Sequence, residues 1–145
     1  MRLLTSSLLA TAFAASFLSL TMAGQASKSV WDGVYTDEQA KRGEALYRTH
    51  CAECHSDTLT GQEQAPALTG VSFAATWEGT KLSDLFEQMR TSMPEKNPGS
   101  LSRQQNADIL AHMLKIGQFP AGQTPLPADL AALEQIRYDS HRRTP

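Results

Sequence analysis

Residues 51–55 read Cys-Ala-Glu-Cys-His, and no other stretch constrains this 145-residue chain so tightly. Two thiols separated by two residues and followed at once by an imidazole form the attachment signature of a c-type haem. The thiols must reach two vinyl groups on one edge of a porphyrin. A two-residue gap lets a single turn of chain set both sulfurs there, and His55 then lies under the ring with its imidazole toward the iron. The rest of such a chain must wrap an apolar disc, supply a sixth ligand and leave one edge of the ring reachable.

Other readings of these five residues leave more unexplained. A thioredoxin-like redox pair needs a strand–helix–strand setting, and no strand-like alternation surrounds Cys51. A structural zinc site takes four ligands, usually from two separated pairs, but Cys51 and Cys54 are the only cysteines. His50, Cys51, Cys54 and His55 are too bunched for a good tetrahedron. A plain disulfide would leave His55 without a role.

The N-terminus agrees with export. Arg2 is the only charge in residues 1–23, Leu3 to Leu20 is apolar with Ser and Thr mixed in, and Thr21-Met22-Ala23 offers small residues for a signal peptidase. Residues 1–23 are therefore expected to be a signal peptide, with cleavage after Ala26 as the second option. An uncleaved leader would act as a membrane anchor. Thioethers to haem are made outside the bacterial cytoplasm, so a periplasmic location is expected. Loss of the leader moves the formal net charge from −2 to −3, which gives no basic patch for nucleic acid and little long-range steering.

Residues 24–35 are polar and expected to be a flexible arm. A helix should start at Thr36-Asp37-Glu38, a hydroxyl cap followed by acids, with Ala40, Gly43, Leu46 and Tyr47 on one face leading into Cys51. Gly43 costs about 1 kcal/mol relative to alanine mid-helix, a cost that fits close approach of another helix. Residues 56–70 have no helical or strand period. A metal-bound histidine donates its other ring N–H to an acceptor, and the Pro66 carbonyl is the candidate, against the plainer role of stiffening a turn. Trp77 carries an indole N–H that a haem propionate or a core carbonyl could accept. Residues 80–92 read as a second helix through Leu82, Leu85, Phe86 and Met89, ended by Pro94. Ser102 and Gln105 form a capping-box pattern for a third helix through Ala107, Leu110, Met113 and Leu114, ended by Gly117. Residues 119–127 should be extended, 129–138 helical and 139–145 frayed.

For the sixth ligand, Met89 and Met113 fall on apolar stripes and read as core. Met93 sits at a helix end before Pro94, where a ligand could cross an open haem face. His112 is its competitor, giving a bis-histidine site.

Gly43 and Tyr47, Cys51-Ala52-Glu53-Cys54-His55, Pro66-Ala67-Leu68, Trp77, Met93-Pro94 and the helix through Leu110 together resemble a class I cytochrome c over residues 36–117. Trp77-Glu78-Gly79, Thr91-Ser92-Met93-Pro94, Asn97-Pro98-Gly99-Ser100-Leu101 and Ala107-Asp108-Ile109-Leu110 are similar to cytochrome c modules of pyrroloquinoline-quinone (PQQ) alcohol dehydrogenases. The resemblance implies an all-α fold around one covalent haem c, a cytochrome domain over 36–117 and a C-terminal extension over 118–145 with one short helix. It implies that the first and last core helices cross at Gly43, that Pro66 accepts from the His55 ring, and that Met93 is the distal ligand. Where many relatives carry an aromatic, this chain has His112.

Two protein ligands would leave no open iron position, so the expected function is one-electron transfer rather than catalysis. A PQQ-dependent dehydrogenase would be the donor and an oxidase or another cytochrome the acceptor. The alternative is a haem-based gas or redox sensor with an open or labile sixth site. A haem peroxidase would need a distal acid or base, and none stands out. Glu53, Asp57 and Glu63 near the motif, and Arg90, Glu95, Lys96 and Arg103 near Met93, form no ring of lysines. Partner contact is therefore expected to be short-range and partly apolar, or held in a lasting complex.

Overall fold

The computed structural model describes residues 27–63 and 65–142. The expected signal peptide and residues 24–26 of the expected arm lie outside them. Two helices dominate: α1 (Asp37–His50) and α5 (Arg103–Ile116) cross. Between them run α2 (Ala52–His55), α3 (Gly70–Trp77) and α4 (Leu82–Ser92); α6 (Leu130–Leu133) follows α5. No helix of the described residues is long and apolar enough to cross a membrane.

Local sequence signals set the long helices. Thr36 caps α1, its hydroxyl accepting from the Gln39 N–H at 3.2 Å. Ser102 and Gln105 close the capping box of α5 with bonds of 3.2 and 2.9 Å. The crossing is made by Gly43: a Cβ there would sit 1.8 Å from the Asp108 carbonyl oxygen, so only glycine lets the two backbones come this close. Ala40, Tyr47, Ala107, Leu110 and Leu114 are buried around this crossing. Asp108, itself buried, is held by Arg42 at 3.0 Å and by Gln104 at 2.8 Å. Residues 70–77, given no helix by periodicity, form two turns that bury Phe73.

The expected flexible arm is instead anchored from residue 28 onward. Lys28–Ser29 (β1) pairs in parallel with Ile136–Arg137 (β2), and Val30–Asp32 forms a short 3₁₀ turn capped by Ser29. Val30, Val34 and Tyr35 are buried, and the Tyr35 hydroxyl donates to the Phe119 carbonyl at 2.7 Å. The expected helix over 129–138 is also shorter. It stops at Leu133 because the chain turns at Glu134–Gln135 to bring Ile136 and Arg137 beside β1.

The extension wraps the core. Gln39, fully buried on α1, donates to the Leu126 carbonyl at 3.0 Å and accepts from its N–H at 2.6 Å. Gly33 and Gly122 cross so closely that a Cβ on Gly122 would meet the Gly33 oxygen at 1.9 Å. Leu133, Ile136 and Tyr138 are buried, and Tyr138 packs edge-on against both Phe73 and Phe119. Residues 139–142, expected to fray, are attached as well. The Trp31 indole N–H donates to the Asp139 carbonyl at 2.8 Å, and the Ser140 N–H to Glu78 at 2.7 Å.

Candidate haem-binding site

The end of α1 delivers the motif. The Cys51 N–H still bonds the Tyr47 carbonyl at 2.8 Å, and α2 then makes one turn in which the Cys54 and His55 N–H groups bond the Cys51 carbonyl at 3.1 and 2.9 Å. That turn puts both cysteines and His55 on the wall of one cavity of about 610 Å³, within the range of roughly 300–1,000 Å³ common for ligand and cofactor sites. Tyr47 braces the turn from below: fully buried, it donates its hydroxyl to the Ser56 carbonyl at 2.7 Å. Burial, then the neighbouring Cys51 and Asp57, raise its pKa well above that of an ordinary phenol. Burial also pushes the Cys51 thiol up to about 11, with Cys54 adding to it.

His55 is buried, and its Nδ1 lies 2.8 Å from the Pro66 carbonyl. A carbonyl can only accept, so Nδ1 donates here, and in the neutral ring Nε2 then keeps its lone pair. The loop that brings Pro66 there is tightly determined. Gly61 bonds the His55 carbonyl at 3.1 Å, Gln62 and Ala65 exchange two backbone bonds of 3.0 and 3.1 Å, and the Leu68 N–H bonds Leu59 at 2.8 Å. Gly61 has φ +77°, and a Cβ there would collide with Ala65 and Ala67 backbone. Without a side chain at residue 61, the Pro66 carbonyl can come within reach of the ring.

The far parts of the cavity come from α3, α4 and α5. Phe73, Trp77, Leu85 and Ile109 give it an apolar lining. Met93 is the residue that ends α4: its N–H bonds Met89, and its backbone then turns extended (φ −122°, ψ 152°) into a cis peptide with Pro94. Met93 is among the residues that line the cavity. Met89 and Met113, read from sequence as core, reach the cavity wall too. The Trp77 indole N–H has no protein acceptor among the described residues, and its ring lies 6.2 Å from that of Phe73. His112 does not line this cavity. It is buried on the other side of the α1–α5 crossing, with its ring 5.4 Å from that of Tyr47. A pair that sequence reasoning did not single out bridges the mouth, where Lys96 bonds Glu53 at 2.9 Å.

This donor set fits a covalently held haem. Two thiols on one helical turn, an imidazole with Nε2 free, thioethers and an apolar wall can bind a macrocycle. Among the described residues, no group of three His, Cys, Asp or Glu side chains could hold a bare metal ion, so a zinc site lacks its ligands there.

Residues 38–113, just over half of the chain, match the family model described as "Cytochrome C oxidase, cbb3-type, subunit III". Among solved structures, the crystal structure of the sulfane dehydrogenase SoxCD from Paracoccus pantotrophus matches with a TM-score of 0.47 and 22% identity. That match covers 61% of this chain and 53% of the other, so this chain spans about half the length of the solved one.

Proposed function

The chain belongs to the cytochrome c family described as "Cytochrome C oxidase, cbb3-type, subunit III", and we propose that this member is a periplasmic, mono-haem carrier of single electrons. Its fold is that of a class I cytochrome c, and its cofactor is haem c. In this reading a quinoprotein alcohol dehydrogenase is the donor, and an oxidase or another cytochrome the acceptor. The observation that carries the proposal is the Nδ1–Pro66 bond of His55 beside the Cys51–Cys54 turn. It would orient an imidazole for iron in a cavity that Met93 also lines.

Bound there, haem c supplies a one-electron ferric/ferrous couple. Cys51 and Cys54 would hold it covalently, and His55 and Met93 would bind its iron. The Pro66 carbonyl fixes the tautomer and orientation of His55 and raises its basicity as a donor. A methionine thioether favours the reduced state relative to a second histidine. The apolar walls from Phe73, Leu85 and Ile109 exclude water and so limit rearrangement on electron transfer.

The test is the optical spectrum of the oxidised holoprotein, wild type beside Met93→Ala. A weak far-red band from iron–thioether bonding in the wild type, lost in the variant, is the expected result. A band retained in Met93→Ala would move the ligand role to Met89 or Met113. No band in the wild type, with prompt stoichiometric binding of carbon monoxide to the reduced form, would favour the sensor reading.

A further inference from the structure

His112 has no part in the haem cavity, yet it is only 6% exposed. Its ring lies against Tyr47, and neither ring nitrogen has a hydrogen-bond partner among the described residues. His112 lines a second cavity of about 470 Å³ between α1 and α5, which opens to solvent. A buried imidazole with no fixed partner can hold a proton or go without, and the opening gives protons a way in. The same helix borders both cavities. Ile109 and Met113, three residues before His112 and one after, stand in the haem cavity wall.

The charges around His112 cancel. Asp37, Glu38, Lys41 and Glu44 share its cavity from α1, and Lys115 does so from α5. Asp37 is paired with Lys115 at 2.7 Å, Glu44 with Arg48 at 2.7 Å, and the buried Asp108, one turn back on α5, with Arg42 at 3.0 Å. Glu38 and Lys41 complete four acids against four bases, and Tyr47 stays neutral. Burial disfavours the charged imidazole; Glu44 favours it, while Arg48 and Lys115 side with burial. No single neighbour fixes the charge of His112, so a change of charge across one helix can tip it.

We propose that His112 is a proton site coupled to the haem, binding its proton more tightly once the protein is reduced and so taking up protons from water as electrons arrive. The inference rests on the electron-transfer reading above and adds the proton that accompanies the electron. On reduction one electron comes from the donor, and the proton goes from water to the unprotonated ring nitrogen; on oxidation both leave, and no other bond changes. The added electron makes the haem site one unit more negative, which favours imidazolium. Across a helix width of about 10–12 Å, at an effective dielectric of about 20, unit charges alter proton affinity by up to about tenfold. By linkage the proton then raises the midpoint potential by the same free energy.

The test uses the full holoprotein. Nuclear magnetic resonance follows the His112 ring signal, assigned by its loss in His112→Gln, through pH titrations of the reduced and the oxidised protein. Proton binding about three- to tenfold tighter in the reduced state is expected. Protein-film voltammetry should then show a midpoint potential that is level well above pH 6.5, rises by a total of about 30–60 mV as the pH falls through the two His112 titrations, and levels again. His112→Phe should lose this step, whereas His50→Gln, altered in the haem cavity wall itself, should keep it. Equal proton affinity of His112 in both oxidation states would overturn the proposal. So would a step that survives in His112→Phe, because the proton would then belong to His50 or to a haem propionate. Absence of a reversible one-electron wave at every pH would instead sink the electron-transfer reading itself.

Discussion

A hydrogen at Gly43 is what allows α1 and α5 to touch backbone to backbone, since a methyl would lie 1.8 Å from the Asp108 oxygen. Gly43→Ala gains helix propensity of about 1 kcal/mol but forces the crossing apart, and overpacking of this kind typically costs about 1–3 kcal/mol or more. The net expectation is destabilisation, read as a lower urea midpoint at unchanged slope. His112, on the same crossing, introduces a dependence on pH. Burial against Tyr47 lowers its pKa below 6.5; Glu44 opposes the shift, while Arg48 and Lys115 reinforce it. The native state therefore holds His112 neutral where the unfolded chain already binds a proton. Stability is full above about pH 6.5 and falls as the pH drops from there toward the lowered native value, because the unfolded state takes up more protons in that window. His112→Phe should remove this part of the slope. The check is unfolding free energy from pH 5 to 8 for both proteins; equal slopes would show that His112 does not titrate between the two states.

At the scale of elements, the C-terminal extension does structural work. Leu133, Ile136 and Tyr138 are each at most 5% exposed, and burying such side chains stabilises by about 1.5–3 kcal/mol apiece. Their sum is comparable to the whole stability of a small domain, about 5–15 kcal/mol. Deleting residues 127–145 should thus lower the melting temperature sharply and reduce the yield of haem-loaded protein, measured by haem absorbance during a thermal scan. An unchanged melt would mean that β2 and its neighbours contribute nothing to the fold. The short helix of the extension was legible in the sequence, but the contacts that fasten it were not, and the reason is range. Gln39 meets Leu126 across 87 residues, Trp31 meets Asp139 across 108, and β1 and β2 are two residues long. No local period announces such contacts. The two turns of α3 were too short to show one either. By contrast, Thr36, Ser102 with Gln105, Gly43 and Pro94 act on their own backbone or on its immediate approach, so they could be read directly. The Cys51–His55 spacing did the same for the site. Pro66 was found because a histidine bound to metal needs an acceptor, whereas Gly61, which makes room for it, gave no chemical sign.

The whole molecule is built around a space that its own side chains do not fill. Interiors are close-packed, but this cavity of about 610 Å³ opens to solvent, so its apolar walls face water until an occupant covers them. The walls of that cavity come from every helix between α2 and α5, so without an occupant they have little to hold them apart. They also have no second cross-link to hold them in place, because both cysteines belong to the motif. The double variant Cys51→Ser, Cys54→Ser is therefore expected to lose covalent haem and, with it, cooperative unfolding. α1 and α5 keep their caps and their Gly43 contact, so a large part of the far-ultraviolet helical signal should persist. The aromatic near-ultraviolet signal of Phe73, Trp77 and Tyr138 should flatten, and a hydrophobic dye should bind the opened walls. Calorimetry decides the matter. A broad transition without a clear heat-absorption peak would show that the cofactor is the core of this fold, whereas a sharp two-state peak near that of the holoprotein would show that the helices and the wrapped extension suffice without it.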